Sequence, residues 1–218
     1  MELVRKGIDQ LRREGQANAQ KKIDNAKAFD YGVRLGYERS EHDCNFTNPR
    51  VTSKVGECGN EYNGSLGLVI TKELSNDNFV ETELGYIFGD RIFTSHWAPF
   101  NTNKQEITVE EHPRALVVLG KRITNNDIVV SPVVGLGFAR FDVKGAQGAS
   151  NDPFDKKTND NLLWTVGASF SQTDSEWSLD YRYIDYGNVE TGIGVSSTRD
   201  ERLHGDMTSH TIGISYNF

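Results

Sequence analysis

The sequence has no long hydrophobic run. Hydrophobic residues make up 36% of its 218 positions, and no apolar stretch approaches the roughly 20 residues that a transmembrane helix needs. A helical membrane protein is therefore excluded. A transmembrane β-barrel remains possible, because each of its strands needs only about 9–11 residues with every second one apolar.

The chain also lacks an excess of basic residues and any catalytic motif. It carries 24 Lys and Arg against 31 Asp and Glu, a net charge of −7, whereas nucleic-acid binding relies on a basic surface. No nucleophile elbow, phosphate-binding loop or paired-cysteine zinc motif is present, and no two of the five histidines have metal-ligand spacing. We therefore expect no nucleic-acid partner, no metal, no cofactor and no enzymatic activity.

Only two cysteines occur, Cys44 and Cys58, on either side of a polar stretch. Chains outside the cytoplasm rarely leave thiols unpaired, so this pair predicts a disulfide and an oxidising compartment. Two free thiols are the alternative. The first residues, Met1–Lys6, lack the apolar core of a signal peptide, so we expect that an export signal has been removed.

A strictly alternating stretch ends the chain. Successive side chains of a strand point to opposite faces, so the last residues form one apolar, aromatic face and one small, polar face. The apolar face consists of His210, Ile212, Ile214, Tyr216 and Phe218, and the polar face of Thr211, Gly213, Ser215 and Asn217. This pattern predicts a closing strand that contacts lipid on one side.

Seven earlier segments alternate in the same way, which gives eight predicted strands. They lie at 31–38, 66–73, 80–88, 115–122, 132–139, 164–171, 177–183 and 210–218. Tight polar turns at 75–78, 124–127 and 173–176 alternate with predicted long polar loops at 41–61, 89–112, 145–161 and 187–207. Short turns on one rim and long loops on the other are typical of transmembrane barrels, with the short turns and both chain ends on the periplasmic side.

Alternation alone does not say which face lines the barrel, because lipocalin-like soluble barrels are polar outside and apolar inside. Here Gly, Ser and Ala cluster on the polar face, as the narrow lumen of eight strands requires, and the aromatics lie near strand ends. The polar face also carries charges of both signs, which we predict to pair as a lumenal network. Its members are Arg34, Glu38, Glu73, Glu81, Glu83, Arg122, Asp180 and Arg182.

Residues 1–29 differ from the rest of the chain. They show no strand pattern, and their seven basic and four acidic residues give a local charge of +3 beside −10 for residues 30–218. A thin apolar stripe at helical spacing predicts an α-helical extension. It is either a solvated leader or a periplasmic contact helix for a partner protein, another copy of the chain or the barrel mouth.

Two segments carry a resemblance to a known family. The stretch 177–188, WSLDYRYIDYGN, resembles the penultimate strand of opacity/OmpA-like outer-membrane barrels, and 132–140, PVVGLGFAR, resembles their fifth strand. The resemblance implies an all-β fold, an eight-stranded antiparallel up-and-down transmembrane β-barrel at 30–218 in the bacterial outer membrane, behind the N-terminal α-helical extension at 1–29. Its implied partners are outer-membrane lipid, lipopolysaccharide and the barrel-assembly machinery, whose signal Tyr216 and Phe218 resemble. The sequence departs from the two-domain members of that family, in which a peptidoglycan-binding domain follows the barrel, so we expect no wall tethering by that route.

Two functional classes remain open. The first is a plugged barrel that displays long acidic loops for envelope integrity or adhesion, with Trp97, Phe100 and Phe154 as candidate contacts. The second is a narrow channel for ions or small solutes, which a lumen filled by side chains disfavours. The acidic loops are also expected to bridge to lipopolysaccharide phosphates through divalent cations. His210 does not suggest an enzyme, because its neighbours Ser209 and Thr211 point to the other face.

Overall fold

A computed structural model describes residues 29–48, 51–96, 104–147, 152–193 and 202–218. Within these ranges the side chains of 44–48, 51–58, 95–96, 104–105, 147 and 152 are not described. The predicted helical extension therefore lies outside the described residues, except that Phe29 is the first residue of a strand. Among the described residues, no helix is long and apolar enough to cross a membrane.

The described chain is built of antiparallel strands that close into a ring. The strands are β1 (Phe29–Asn48), β2 (Val51–Glu73), β3 (Asn78–Phe88), β4 (Arg91–His96), β5 (Lys104–Val109), β6 (His112–Lys121), β7 (Ile123–Asn125), β8 (Ile128–Gln147), β9 (Asp152–Gln172), β10 (Trp177–Glu190) and β11 (Arg202–Asn217). The ring runs β1–β2–β3–β6–β8–β9–β10–β11 and closes where β11 pairs with β1. The predicted eight-stranded up-and-down barrel is confirmed.

The three remaining strands prolong members of the ring. After Gly89 and Asp90, β4 continues the course of β3, and it pairs with β5, which precedes β6. The upper half of β8 pairs with β5 and its lower half with β6, so β5 and β6 form one interrupted barrel strand. The short β7 continues β6 and pairs with the start of β8.

The three tight turns lie where the sequence predicts them. Their tips adopt a left-handed backbone, with positive φ at Asn76, Asp77, Asn126 and Asp174. Asn and Asp tolerate this region better than other non-glycine residues, and hairpin turns that match the strand twist require it. These turns fix the register of three hairpins at one end of the barrel, which is the periplasmic end.

An apolar belt surrounds the lower part of the barrel. Large hydrophobic side chains on its outer face are 40–60% exposed, among them Leu68, Leu84, Val134 and Ile214. On β8 the belt runs from Ile128 to Phe138, about 33 Å along the strand and about 25 Å in height at the usual tilt. This height matches the lipid-facing band of an outer-membrane barrel.

Above the belt, apolar and polar side chains still alternate along the strands, but the apolar ones now face inward and the polar ones outward. On β8, Val134, Leu136 and Phe138 face outward, whereas Phe141 and Val143 are buried inside and Asp142 and Lys144 face outward. The predicted long loops are wrong in this respect, since much of 41–61, 89–112, 145–161 and 187–207 is strand. The barrel wall therefore extends past the membrane, with an apolar interior and a polar exterior in water.

Candidate functional site

The lower lumen holds a cluster of buried ion pairs centred on Arg34. Arg34 Nη1 contacts Glu81 Oε1 at 3.0 Å and also Glu83 Oε2, and its Nε lies 3.2 Å from Asp180 Oδ2. Ser215 Oγ accepts a hydrogen bond from Arg34 Nε at 2.9 Å. Arg182 contacts Glu81 and Glu83 from the other side. Strands β1, β3, β10 and β11 are thereby joined across the lumen.

A second cluster above it is centred on Glu38. Its Oε1 lies 2.8 Å from Arg91 Nη2, and its Oε2 lies 2.7 Å from Arg114 Nη1. The Tyr186 hydroxyl donates to Glu38 Oε1 at 2.9 Å, and Arg114 Nη1 donates to that hydroxyl oxygen at 3.1 Å. Arg114 also reaches Glu83 at 3.3 Å and so connects the two clusters.

Together these clusters contain four guanidinium groups and four carboxylates, all buried. They are Arg34, Arg91, Arg114, Arg182, Glu38, Glu81, Glu83 and Asp180. A buried charge is tolerated when it is paired and hydrogen-bonded. The balance of four against four allows this narrow lumen to be ionic without carrying a net charge.

Glycines make room for the long side chains. A Cβ atom at Gly85 would lie 3.2 Å from Glu83 Oε1 and 3.4 Å from Arg114 Cγ. A Cβ atom at Gly67 would lie 3.1 Å from Glu83 Cγ. The glycines of the polar face therefore provide the space that the ion-pair network occupies.

Aromatic and aliphatic side chains fill the lumen above the ionic clusters. This apolar plug comprises Phe93, Ile107, Val109, Phe141, Val143, Phe154, Leu163, Ile184, Val189, Leu203 and Met207, all buried. Tyr186 joins the two zones, because its ring packs edge-on to Phe141 at 6.3 Å and lies under the Arg91 guanidinium at 5.2 Å. The periplasmic mouth, in contrast, holds a cavity of about 490 Å³ that reaches up to Arg34 and Arg182.

The structure separates the predicted lumenal charges into two groups. Six of them, Arg34, Glu38, Glu81, Glu83, Asp180 and Arg182, lie in the buried clusters. Glu73 and Arg122 instead pair with each other at 2.6 Å near the periplasmic rim, where both side chains are partly exposed. These two pair as predicted, but at the periplasmic mouth, where Arg122 borders the cavity, and not in the buried clusters.

Sequence reasoning missed Arg91, Arg114 and Tyr186. Arg114 is separated by an even number of residues from Leu116 and Val118, so all three side chains point into the barrel. In the same way, Tyr186 lies four positions after Arg182 and also points inward. Extending the predicted strands by a few residues would have found both. Arg91 follows the interruption at Gly89 and Asp90, and a short strand of this kind gives no alternation to extend.

The candidate loop contacts are not all in loops. Phe154 lies in β9 and is buried in the apolar plug, so its assignment as an exposed contact is wrong. Trp97 and Phe100 lie outside the described residues. The backbone places Cys44 opposite Gly56 on the neighbouring strand, two residues from Cys58, but the two cysteine side chains are not described.

The C-terminal aromatics lie on the outer face at the periplasmic end. The Tyr216 ring packs against Trp177 at 4.7 Å and against Phe218 at 6.3 Å. The Phe218 amide donates to the Tyr31 carbonyl oxygen at 2.8 Å, which ties the last residue to the first barrel strand. The proposed assembly signal is therefore part of the lower aromatic girdle.

His210 lies on the outer face at the upper edge of the belt. Its Nδ1 is 2.8 Å from the Tyr181 hydroxyl, and its ring packs on Tyr183 at 5.3 Å. Thr208 lies two residues away on the same face and is the backbone partner of Asp185 on the neighbouring strand β10. A hydroxyl and a carboxylate thus occur on this face, but His210 forms its hydrogen bond with the phenol of Tyr181. Among the described residues, no group of three or more potential ligands is placed to hold a metal ion.

Two groups of titratable residues lie above the belt. Burial lowers the pKa of His42 to about 4, and the positive charge of nearby His204 contributes to that lowering. On the outer surface, hydrogen bonds from Lys144 and Lys156 hold the pKa of Glu110 below its usual value. The extension therefore has a buried neutral imidazole inside and paired charges outside.

A closed eight-stranded barrel with an apolar outer belt, aromatics at both edges and paired charges inside is a transmembrane β-barrel of the bacterial outer membrane. Solved structures with this fold include the outer-membrane protein OprG from Pseudomonas aeruginosa, at 12% identity and a TM-score of 0.50, over 88% of this chain and 97% of that one. No protein-family model and no curated protein matches the chain.

Two further solved structures are similar at lower scores. Ail of Yersinia pestis, in complex with the heparin analogue sucrose octasulfate, is 14% identical with a TM-score of 0.42, over 87% of this chain and 99% of that one. The outer-membrane protease OmpT from Escherichia coli is 9% identical with a TM-score of 0.49, over 88% and 97%. The chain has the fold of the opacity/OmpA-like outer-membrane barrels, as the sequence resemblance predicts.

Proposed function

We propose that this protein is a plugged outer-membrane barrel that acts through the part of its wall outside the membrane, in envelope integrity or adhesion. The observation that carries the proposal is the filled lumen: two ionic clusters below, which together carry no net charge, and an apolar plug above. A lumen filled in this way leaves the barrel as a rigid anchor. The exposed surface of the extension is then the part available to partners.

The competing function is a narrow channel, and the 490 Å³ cavity at the periplasmic mouth is the observation in its favour. Planar-bilayer conductance separates the two. The wild type is expected to show no steady open level. A general porin recorded in the same bilayer serves as the positive control for an open lumen. A reproducible open level in the wild type would establish the channel and reject the plugged barrel.

A binding role is supported by the rigidity of the extension. Above the belt β1 remains paired with β11 and β2 as far as Thr47, with bulges near Asp43 and Cys44, and β8 pairs with β9 up to Gln147. Trp97 and Phe100 remain proposed contacts. The role can be tested by displaying the protein on a non-adherent bacterium and measuring attachment to epithelial cells. The wild type is compared with the double variant Trp97→Ala, Phe100→Ala. No gain in attachment over cells without the protein would exclude adhesion to that surface.

The remaining partners are also proposals. Bridging of the acidic residues to lipopolysaccharide phosphates through divalent cations stays a proposal, and at Glu41, Asp142 and Asp160 the cation would have to replace the partners Arg39, Lys156 and Arg140. Binding to lipopolysaccharide-coated surfaces with and without chelator tests this, and indifference to the chelator would reject it. For residues 1–29, a synthetic peptide of that segment used as bait in a periplasmic extract tests the predicted contact helix.

We also propose that the function is not enzymatic. In the described residues His210 is hydrogen-bonded to Tyr181 rather than to a hydroxyl nucleophile or a carboxylate, and nucleophilic catalysis needs such a constellation. Incubation of the purified protein with outer-membrane lipid, followed by mass analysis of the lipid, tests this. A change in lipid mass that His210→Gln abolishes would overturn the proposal.

A further inference from the structure

The lipid-facing surface of the barrel contains a groove of about 380 Å³. It crosses β2, β3, β6 and β8 near the upper edge of the belt. Its walls are almost entirely apolar and include Leu66, Leu68, Leu84, Tyr86 and Phe138. Most outward positions of the belt carry large side chains, so this depression needs a cause.

The groove exists because β6 presents two compact side chains where its neighbours present large ones. Ala115 pairs with Leu84 on one side and Phe138 on the other, and Pro113 pairs with Tyr86. The inward-facing residues Gly85 and Arg114 also border the groove. Its floor therefore lies at the level of the sheet backbone, below the tips of the flanking leucines.

A positively charged side chain, that of Arg140, lies at the upper end of the groove. Arg140 borders it and is the first charged residue above Phe138 on the outer face of β8. Its Nε lies 3.4 Å from Asp160 Oδ1, and its side chain is 66% exposed. A contact through Nε leaves the two terminal guanidinium nitrogens in the geometry that binds phosphate oxygens in a bidentate manner.

The position of the groove identifies the leaflet. The short turns lie at the opposite, periplasmic end of the barrel, so the upper edge of the belt faces the outer leaflet. An apolar trough below with a guanidinium at the level of the headgroups has the shape and charge of a site for an acylated, phosphorylated lipid. An acyl chain that lies in the trough contacts the floor and both walls, and these close contacts favour its burial there.

We propose that this groove binds one acyl chain of a lipopolysaccharide molecule in the outer leaflet, with a lipid A phosphate held by Arg140. Ala115 sets the depth of the site, and Asp160 positions the Arg140 guanidinium. The inference rests on the membrane-facing surface alone, so it holds whether or not the lumen conducts.

Native mass spectrometry of the folded protein, released from mild detergent after incubation with lipid, tests the proposal. The lipids are lipid A, the same lipid A after removal of its phosphates, and phosphatidylglycerol. The wild type is expected to retain one lipid A molecule, and to retain the dephosphorylated form or phosphatidylglycerol roughly tenfold less. Ala115→Phe, which fills the trough, is expected to lose retention of lipid A. Arg140→Gln is expected to retain lipid A and its dephosphorylated form equally weakly.

Two matched controls use the same substitutions elsewhere on the outer face. Ala168→Phe changes another outward alanine of the belt. Arg39→Gln removes another outward arginine just above the belt. Both variants are expected to retain lipid A as the wild type does. Ala115→Leu replaces Ala115→Phe if the larger side chain prevents folding, which heat-modifiability on gels reports. Equal retention by Ala115→Phe and the wild type, equal loss in Ala168→Phe, or equal retention of phosphatidylglycerol and lipid A would each overturn the proposal.

Discussion

The Tyr186 hydroxyl donates a hydrogen bond to Glu38 Oε1 at 2.9 Å, at the height where the ionic part of the lumen meets the apolar plug. Glu38 also contacts two guanidinium groups, those of Arg91 and Arg114. A single carboxylate thus contacts two buried cations and accepts a hydrogen bond from a phenol, and Arg114 shares Glu83 as a second counter-ion. This makes Glu38 the residue whose charge the upper lumen can least afford to lose.

Removing that charge should destabilise the barrel strongly. In Glu38→Gln the guanidinium group of Arg91 stays buried without its counter-ion and Arg114 keeps only Glu83, so we expect a loss of about 3–5 kcal/mol in the free energy of unfolding. Urea unfolding of the protein in lipid vesicles, followed by tryptophan fluorescence, measures it. The matched control is Glu73→Gln at the rim, where the half-exposed pair with Arg122 predicts a loss of about 1 kcal/mol or less. Equal losses in the two variants would contradict the buried network.

Stability should also depend on pH through His42. Its pKa is about 4 in the folded barrel and near 6.5 when unfolded. Above pH 6.5 both states are neutral and the stabilising contribution of the neutral imidazole is complete. As the pH falls from 6.5 to 4, only the unfolded state takes up the proton, so stability falls over this window and levels off below it.

The measurement is the urea midpoint of the wild type and of His42→Gln between pH 4 and 7.5. The variant should show a flatter profile in that window. His204, whose pKa is also lowered by burial, contributes in the same direction, so His204→Gln should flatten the profile in part. Parallel profiles for the wild type and His42→Gln would show that His42 is not a buried neutral group.

The predicted Cys44–Cys58 disulfide can be tested by mass. Protein isolated without reductant should be lighter by two hydrogen atoms than the reduced form and should not react with iodoacetamide. A loop of this length predicts a stabilisation of about 3 kcal/mol by chain entropy, visible as a lower urea midpoint after reduction. Alkylation of both thiols in unreduced protein would leave Cys44 and Cys58 as free residues.

The C-terminal aromatic should affect assembly more than stability. Phe218 is 72% exposed on the outer face, so Phe218→Ala should cost the folded barrel little while the fraction of heat-modifiable protein in cell envelopes falls. Leu136→Ala, at a similarly exposed position in the middle of the belt, is the control and should assemble normally. A normal yield of folded Phe218→Ala would remove Tyr216 and Phe218 from the role of assembly signal.

Alternation in the sequence was sufficient to predict the eight strands, their inward and outward faces and the three turns, because these depend on a period of two and on local turn chemistry. It failed above the belt, where Phe141 and Val143 are inside and Asp142 and Lys144 outside. That segment still alternates, but its polarity is reversed because the solvent changes from lipid to water. The rule that apolar side chains face outward holds only within the belt, so applying it to the whole chain predicts loops where the extension lies.

The partners within the lumen could not be predicted either. Alternation places Arg34 and Glu81 on the inside, but their contact joins β1 to β3 across the barrel and depends on strand tilt and stagger, which no local pattern contains. The same applies to Arg114, which reaches both Glu38 and Glu83. Sequence therefore predicts the membership of such a network more readily than its geometry.

The order in which the charges enter the barrel has a consequence for its biogenesis. Arg34 is on the first barrel strand, whereas one of its partners, Asp180, is on β10, near the end of the chain. Glu38, also on β1, receives its hydrogen bond from Tyr186 of that same late strand. A half-inserted sheet would hold uncompensated ions at the depth of the hydrocarbon, so incomplete intermediates are penalised until the last strands arrive. The interior therefore becomes electrically neutral only when the complete polypeptide has assembled.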